Sequence, residues 1–149
     1  MSDLSISLEW NLQEEELKPD VFSKNHKIEI NDYFFNAGSA PEYGGGENEI
    51  NPEQSLAAAI SSCHMMTFLA LASKMRWPVK SYKDKAHAFL GKNTKGKMCV
   101  NKIELNPQIF FDKDFSVSKE DMDKMQDRSH RYCFVANSLS DDVEIKINI

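Results

Sequence analysis

A chain of 149 residues is long enough to bury the core of one domain, and a net charge of −5 argues against nucleic acid as a partner. The first ten residues, MSDLSISLEW, lack the basic and apolar regions of a secretory signal. Three cysteines, an odd number, do not suit a secreted disulfide framework, so the expected home is the reducing cytoplasm.

Residues 4–12 alternate apolar and polar at Leu4, Ile6, Leu8 and Trp10, which predicts a half-buried strand. The acid-rich 13–18 stretch and Pro19 form a connection. From His26, Ile28 and Ile30 alternate ahead of Tyr33, Phe34 and Phe35, a second strand in an antiparallel N-terminal sheet. Residues 36–50 form a loop holding four of the six glycines. Those glycines allow close backbone approach. No Gly-Lys-Ser/Thr follows them, so the loop is not a phosphate-binding P-loop.

Residues 51–75, NPEQSLAAAISSCHMMTFLALASKM, predict the central helix. Asn51 suits the N-cap, Pro52 the first turn, and Glu53 the positive end of the helix dipole. From Ser55 to Ser73 there is no charged residue apart from the titratable His64. The apolar residues run round every side, the pattern of a buried helix. The run is long enough to raise a membrane span, but its four serines, a threonine, a histidine and many alanines favour a central helix of a soluble protein.

Trp77 and Pro78 end that helix. Residues 79–92 read as a strand, 93–97 as a turn, and 99–110 as a strand with Pro107 at a bulge or edge, the two pairing as a hairpin. A second helix is expected over 118–139, capped by Ser118 with Asp121. Met122 and Met125 face inward on its first half. Residues 143–149 alternate as a last strand. Strands in consecutive runs indicate an α+β fold with antiparallel sheet in one domain, 1–149.

Cys63 and Cys133 are the residues that could carry chemistry. Each is read as either inert packing or a nucleophile. Each has a histidine nearby: His64 follows Cys63, and His130 lies one helical turn before Cys133. A structural zinc on Cys63, His64, His130 and Cys133 has no Cys-x-x-Cys to support it, and adjacent helical residues diverge. Papain-like acyl chemistry has only the residue types in its favour.

Asn51-Pro52-Glu53-Gln54, a run of small residues and then Cys63, followed by His130-x-x-Cys133 and Ala136-Asn137-Ser138-Leu139, resembles the OsmC/Ohr family of thiol peroxidases. The resemblance covers nearly the whole chain. It implies an OsmC-like α+β fold with two central helices in an intertwined homodimer, and no cofactor or metal. Cys63 would be the peroxidatic thiolate that attacks an organic hydroperoxide and becomes a sulfenic acid. Cys133 would close a disulfide with it, reopened by an external dithiol. Glu53 would orient an activating arginine. Cys99 has no role in this scheme and reads as strand packing.

This chain departs from the family pattern in three places. The family's arginine lies in the N-terminal strands, but the first arginine here is Arg76. Lys24, His26, Arg128 and Arg131 are the candidate substitute cations. Phe134 stands where the family usually has proline. His64 directly after Cys63 is unlike the best-known members. On one straight helix, Glu53 and Cys63 would be separated by about 15 Å and roughly a right angle. Either the helix start is unwound or bent, or Glu53 serves a site through another chain, which suits a dimer. The alternative to a peroxidase is a non-catalytic protein that holds a small apolar ligand on the same scaffold.

Overall fold

The computed structural model describes residues 1–112 and 114–149, which divide into two compact units, Met1–Ser55 and Leu56–Ile149.

In the first unit, β1 (Ser7–Glu9), β2 (His26–Ile30) and β3 (Tyr33–Ala37) form an antiparallel sheet in chain order. Leu8 and Phe35 both lie opposite Ile28. The β2–β3 turn consists of Asn31 and Asp32, with Asn31 at a left-handed φ of 57° that asparagine tolerates better than most residues. The first strand is much shorter than the expected 4–12. It stops where the Trp10 indole turns to donate to the Ser23 carbonyl at 2.8 Å and meets the Phe22 ring edge-on.

The glycine-rich loop serves close backbone approach. A Cβ at Gly45 would sit 1.5 Å from the Ser39 carbonyl oxygen, so only glycine fits there. Gly38 N–H donates to the Ile50 carbonyl at 3.1 Å, and Ile50 N–H to the Asn36 carbonyl at 3.0 Å, closing the loop at its neck. The helix α1 (Pro52–Lys74) starts immediately afterwards. Asn51 Oδ1 accepts from Gln54 N–H at 2.8 Å, and Gln54 Oε1 accepts from Asn51 N–H at 3.0 Å. This reciprocal capping box satisfies donors that a helix start leaves open.

In the second unit, one stripe of α1 is buried: Ala57, Ile60, His64, Phe68 and Ala72, at spacings of three and four. Ala58, Ala59, Met66 and Ala70 are exposed. The all-round apolar pattern therefore does not mean all-round burial within this chain. Arg76, at a left-handed φ of 58°, ends the helix. Trp77 N–H reaches the Ala72 carbonyl and Arg76 N–H the Ser73 carbonyl, a Schellman arrangement ahead of Pro78.

The expected hairpin is present but broken. Strands β4 (Val79–Lys83) and β7 (Gln108–Phe111) pair with each other, while β5 (His87–Lys92) pairs with β6 (Met98–Leu105) in a separate sheet. Asp84 fixes the break. Its carboxylate accepts from Asn106 N–H at 2.6 Å and from the Ser61 hydroxyl of α1. Strand β8 (Glu144–Ile147) adds to the far side of β6 in parallel. Ile60 packs on Ile103 and Leu105 of β6, and Phe68 and Ala72 pack on Met125 of the second helix.

That second helix is the main departure from expectation. It is α2 (Lys119–Tyr132), then a non-helical Cys133 with φ −72° and ψ 111°, then α3 (Phe134–Asn137). Ser118 caps α2 by accepting from Asp121 N–H at 3.1 Å. Lys119–Asp123 and Lys124–Glu120 pairs lie on its exposed side. Such pairs are worth about 0.3–0.5 kcal/mol each, so the buried Met125 face decides where the helix sits.

The capping box should be measurable. Asn51→Ala should lower unfolding free energy by about 1 kcal/mol in urea titration. An unchanged midpoint would show that the box contributes nothing.

Candidate active site

The break at Cys133 builds the site. The first N–H groups of any helix have no partner within it. Because α3 starts afresh at Phe134, the N–H groups of Phe134, Val135 and Ala136 are released from the α2 ladder. Cys133 is the N-cap, and its Sγ accepts from Ala136 N–H at 3.5 Å. The Asn137 side chain donates to the Arg131 carbonyl at 3.0 Å, satisfying an acceptor at the end of α2.

Cys63, midway along α1 and half-buried, receives the remaining donors. Burial works against its ionisation. The Val135 N–H, the Cys133 thiol and the Phe134 N–H together outweigh that cost and hold the Cys63 thiol below its ordinary pKa. Thr67 is held one turn along by donating to the Cys63 carbonyl at 2.8 Å.

Cys133 is moved the other way. It is fully buried, and burial together with its hydrogen bond to Cys63 pushes its pKa up to about 11, against the opposing Ala136 and Val135 N–H groups. Two thiols in contact thus differ in kind. One is half-buried and inclined to be thiolate; the other is buried and stays protonated as its donor. All three cysteines are free thiols. Cys99 is half-buried on β6 opposite Gly91, apart from this pair.

His64 and His130 take separate positions. His64 is 1% exposed, and its Nε2–H donates to Gln126 Oε1 at 2.6 Å. Burial lowers its pKa and leaves the ring neutral. His130 Nδ1 is buried and has no hydrogen-bond partner among the described residues. Among the described residues no three His, Cys, Asp or Glu side chains converge as a metal site.

The other sequence candidates lie elsewhere. Glu53 is in the first turn of α1, with Oε2 buried and unpartnered among the described residues. The helix is unbroken from Pro52 to Lys74, so no unwound start separates Glu53 from Cys63. His26 contacts the Lys24 carbonyl through Nδ1 at 2.7 Å. Arg131 pairs with Asp127 at 3.2 Å, and Arg128 lines a cleft of about 430 Å³ with Trp77 and Met125. Among the described residues, none of these cations is a group that lowers the Cys63 pKa. Besides the Cys133 thiol, the donors that do are the main-chain N–H groups of Val135 and Phe134, which reading by side-chain type does not find. Proline at position 134 would have signalled a helix start; phenylalanine hides it.

The thiol pair gives a pH-resolved expectation. Alkylation of Cys63 by iodoacetamide should rise with a midpoint below that of an ordinary thiol, and Cys133 should react only near pH 11. Phe134→Pro should shift the Cys63 midpoint upward, because proline keeps the helix start but removes one N–H donor. Phe134→Ala should leave it in place. Equal midpoints in all three proteins would remove the Phe134 amide from the site.

The family model described as OsmC-like protein matches residues 44–148. Over 99% of this chain and 100% of the other, the fold is similar to an OsmC-like protein of unknown function from Vibrio cholerae, with 35% identity and a TM-score of 0.86. An organic hydroperoxide resistance protein from Legionella pneumophila shares 15% identity over 99% of this chain and 97% of its own, with a TM-score of 0.71. The organic hydroperoxide resistance protein OhrB of Bacillus subtilis shares 16% identity over 97% and 95%, with a TM-score of 0.69. These last two likenesses are of fold. No curated protein matched the sequence.

Proposed function

Because the chain belongs to the OsmC-like protein family, we propose that it is a cysteine-based peroxidase that reduces organic hydroperoxides to alcohols. The observation that carries the reading is the opposed character of the two touching thiols, Cys63 held low and Cys133 held high. Environments that push two titratable groups apart assign them different roles. The names of structural neighbours as organic hydroperoxide resistance proteins support the substrate class. So do the exposed apolar side chains near the pair in sequence, Met66 one turn after Cys63 and Phe134 beside Cys133.

The Cys63 thiolate attacks one oxygen of the hydroperoxide, the O–O bond breaks, and the alkoxide takes a proton and leaves as alcohol. Cys63 is now a sulfenic acid. Burial, the hydrogen bond to the Cys63 thiolate and its charge had kept the Cys133 proton in place. Oxidation of Cys63 removes that charge, so Cys133 loses its proton more readily. Its sulfur attacks the sulfenic sulfur, water leaves, and a Cys63–Cys133 disulfide forms. An external dithiol returns two electrons and two protons and restores both thiols. That cycle suits a reducing cytoplasm.

The reading includes a homodimer. Tyr33 and Phe34 on the N-terminal sheet are 80% and 69% exposed, and α1 leaves Ala58, Ala59, Met66 and Ala70 uncovered. Apolar surface of this kind is more than a single chain buries. Glu53, with an unpartnered buried oxygen, would find its partner in that assembly.

Binding of a small apolar ligand without turnover has one observation in its favour, a cleft of about 320 Å³ lined by Leu8, Trp10, Leu17 and Phe22 in the N-terminal unit.

With dithiothreitol present, wild-type protein should consume cumene and tert-butyl hydroperoxide. Cys63→Ser should abolish turnover. Cys133→Ser should permit a single oxidation trapped by dimedone, with little cycling. Consumption at the buffer rate by wild type, with Cys63 titrating as an ordinary thiol, would decide for the ligand-binding reading. Light scattering at micromolar concentration should give twice the chain mass; a monomer would overturn the dimer.

A further inference from the structure

A buried polar contact joins α1, which carries Cys63, to α2, which ends at Cys133. His64, the residue after Cys63 on α1, donates from Nε2 to Oε1 of Gln126, seven residues before Cys133 on α2, at 2.6 Å. The two side chains are 1% and 2% exposed. Gln126 is fixed in turn, since its Nε2 donates to Met122 Sδ at 3.8 Å. Beside this bond Phe68 and Ala72 pack on Met125 and the Ser129 hydroxyl donates to the Met125 carbonyl, while His130 and Asp84 act on His64 electrostatically. Apolar attraction is non-directional, whereas a hydrogen bond weakens steeply away from its preferred angle. A buried polar pair is therefore suited to fixing register, a role best attested in helix pairs.

We propose that the His64–Gln126 bond is a positioning device that sets the register of α1 on α2, and with it the approach of Cys63 to Cys133. His64 and Gln126 are positioning residues; neither touches the reacting sulfurs. The proposal deepens the thiol-peroxidase reading and rests on the two cysteines working as a pair. It concerns the resolving step, in which Cys63 and Cys133 must come from hydrogen-bond contact to a covalent bond of about 2.05 Å.

Its test needs no hydroperoxide, so absence of turnover leaves it standing. The protein is equilibrated with glutathione and glutathione disulfide. The dithiol passes two electrons and two protons to glutathione disulfide, leaving the Cys63–Cys133 disulfide and two glutathione thiols. The equilibrium constant is the effective molarity of the pair. Gln126→Leu should lower it about tenfold or more, since small misplacements are costly to intramolecular reactions. The Cys63 alkylation midpoint should rise in the same variant, because the donors that lower it sit at and beside Cys133. His64→Gln, which places an amide donor where Nε2 was, should keep the wild-type value. The double variant His64→Leu/Gln126→Leu replaces both polar partners and should regain thermal stability over the single variants, yet keep the low effective molarity.

A merely structural role predicts that effective molarity returns with stability in the double variant, and that result would overturn the proposal. Wild-type effective molarity in Gln126→Leu would overturn it too, as would a loss in His64→Gln as large as in Gln126→Leu.

Discussion

A helix that stops for one residue and starts again is the constraint on which the site depends. If α2 ran on through Cys133, the Phe134, Val135 and Ala136 N–H groups would be used by carbonyls a turn earlier, and no main-chain donor would be left for Cys63. With Cys133 extended, those groups become the open end of a new helix. One interruption therefore does two things. It presents peptide donors to the sulfur on α1, and it seats the second sulfur as the cap beside them.

The Asn-Pro-Glu-Gln stretch divides in the same way between fold and chemistry. Asn51 and Gln54 cap each other, and Pro52 fills the first helical position, where a missing N–H costs nothing. Those three residues are accounted for by starting a helix directly after a tight glycine loop. Glu53 is not. Its carboxylate does no capping, and one oxygen is buried without a partner among the described residues. A buried acceptor left open is costly, and no donor among the described residues meets this one.

Much of this was legible in the sequence where one local signal decided the outcome. The N-cap of α1, the alternation of β2 and β8, the Ser118 cap and the α+β order all follow from residues within a few positions of each other. The misses came where distant partners decided. Residues 79–92 and 99–110 each read as one strand, but Asp84 draws Asn106 and Ser61 together and divides them between two sheets. Residues 118–139 read as one helix, because Tyr132, Phe134 and Val135 carry no stop signal. The apolar pattern of α1 was legible, but periodicity alone could not say that a single stripe, Ala57 to Ala72, would be covered within the chain. For the site, residue type identified both cysteines, while the groups that act on Cys63 are mostly backbone and have no letter of their own.

That last point bears on the missing arginine. A guanidinium beside a thiolate supplies full charge from a long side chain whose position depends on a partner carboxylate. Peptide N–H groups supply smaller partial charges, but they are held by the fold and cannot be protonated or displaced. In this chain Phe134 keeps an N–H at the position where the family usually has proline, so a donor is present that proline could not provide. The donors also belong to the segment that carries Cys133, whose Sγ caps the same helix start. In the proposed cycle one piece of backbone would therefore serve both sulfurs, favouring the thiolate at Cys63 and seating the thiol that is to resolve it.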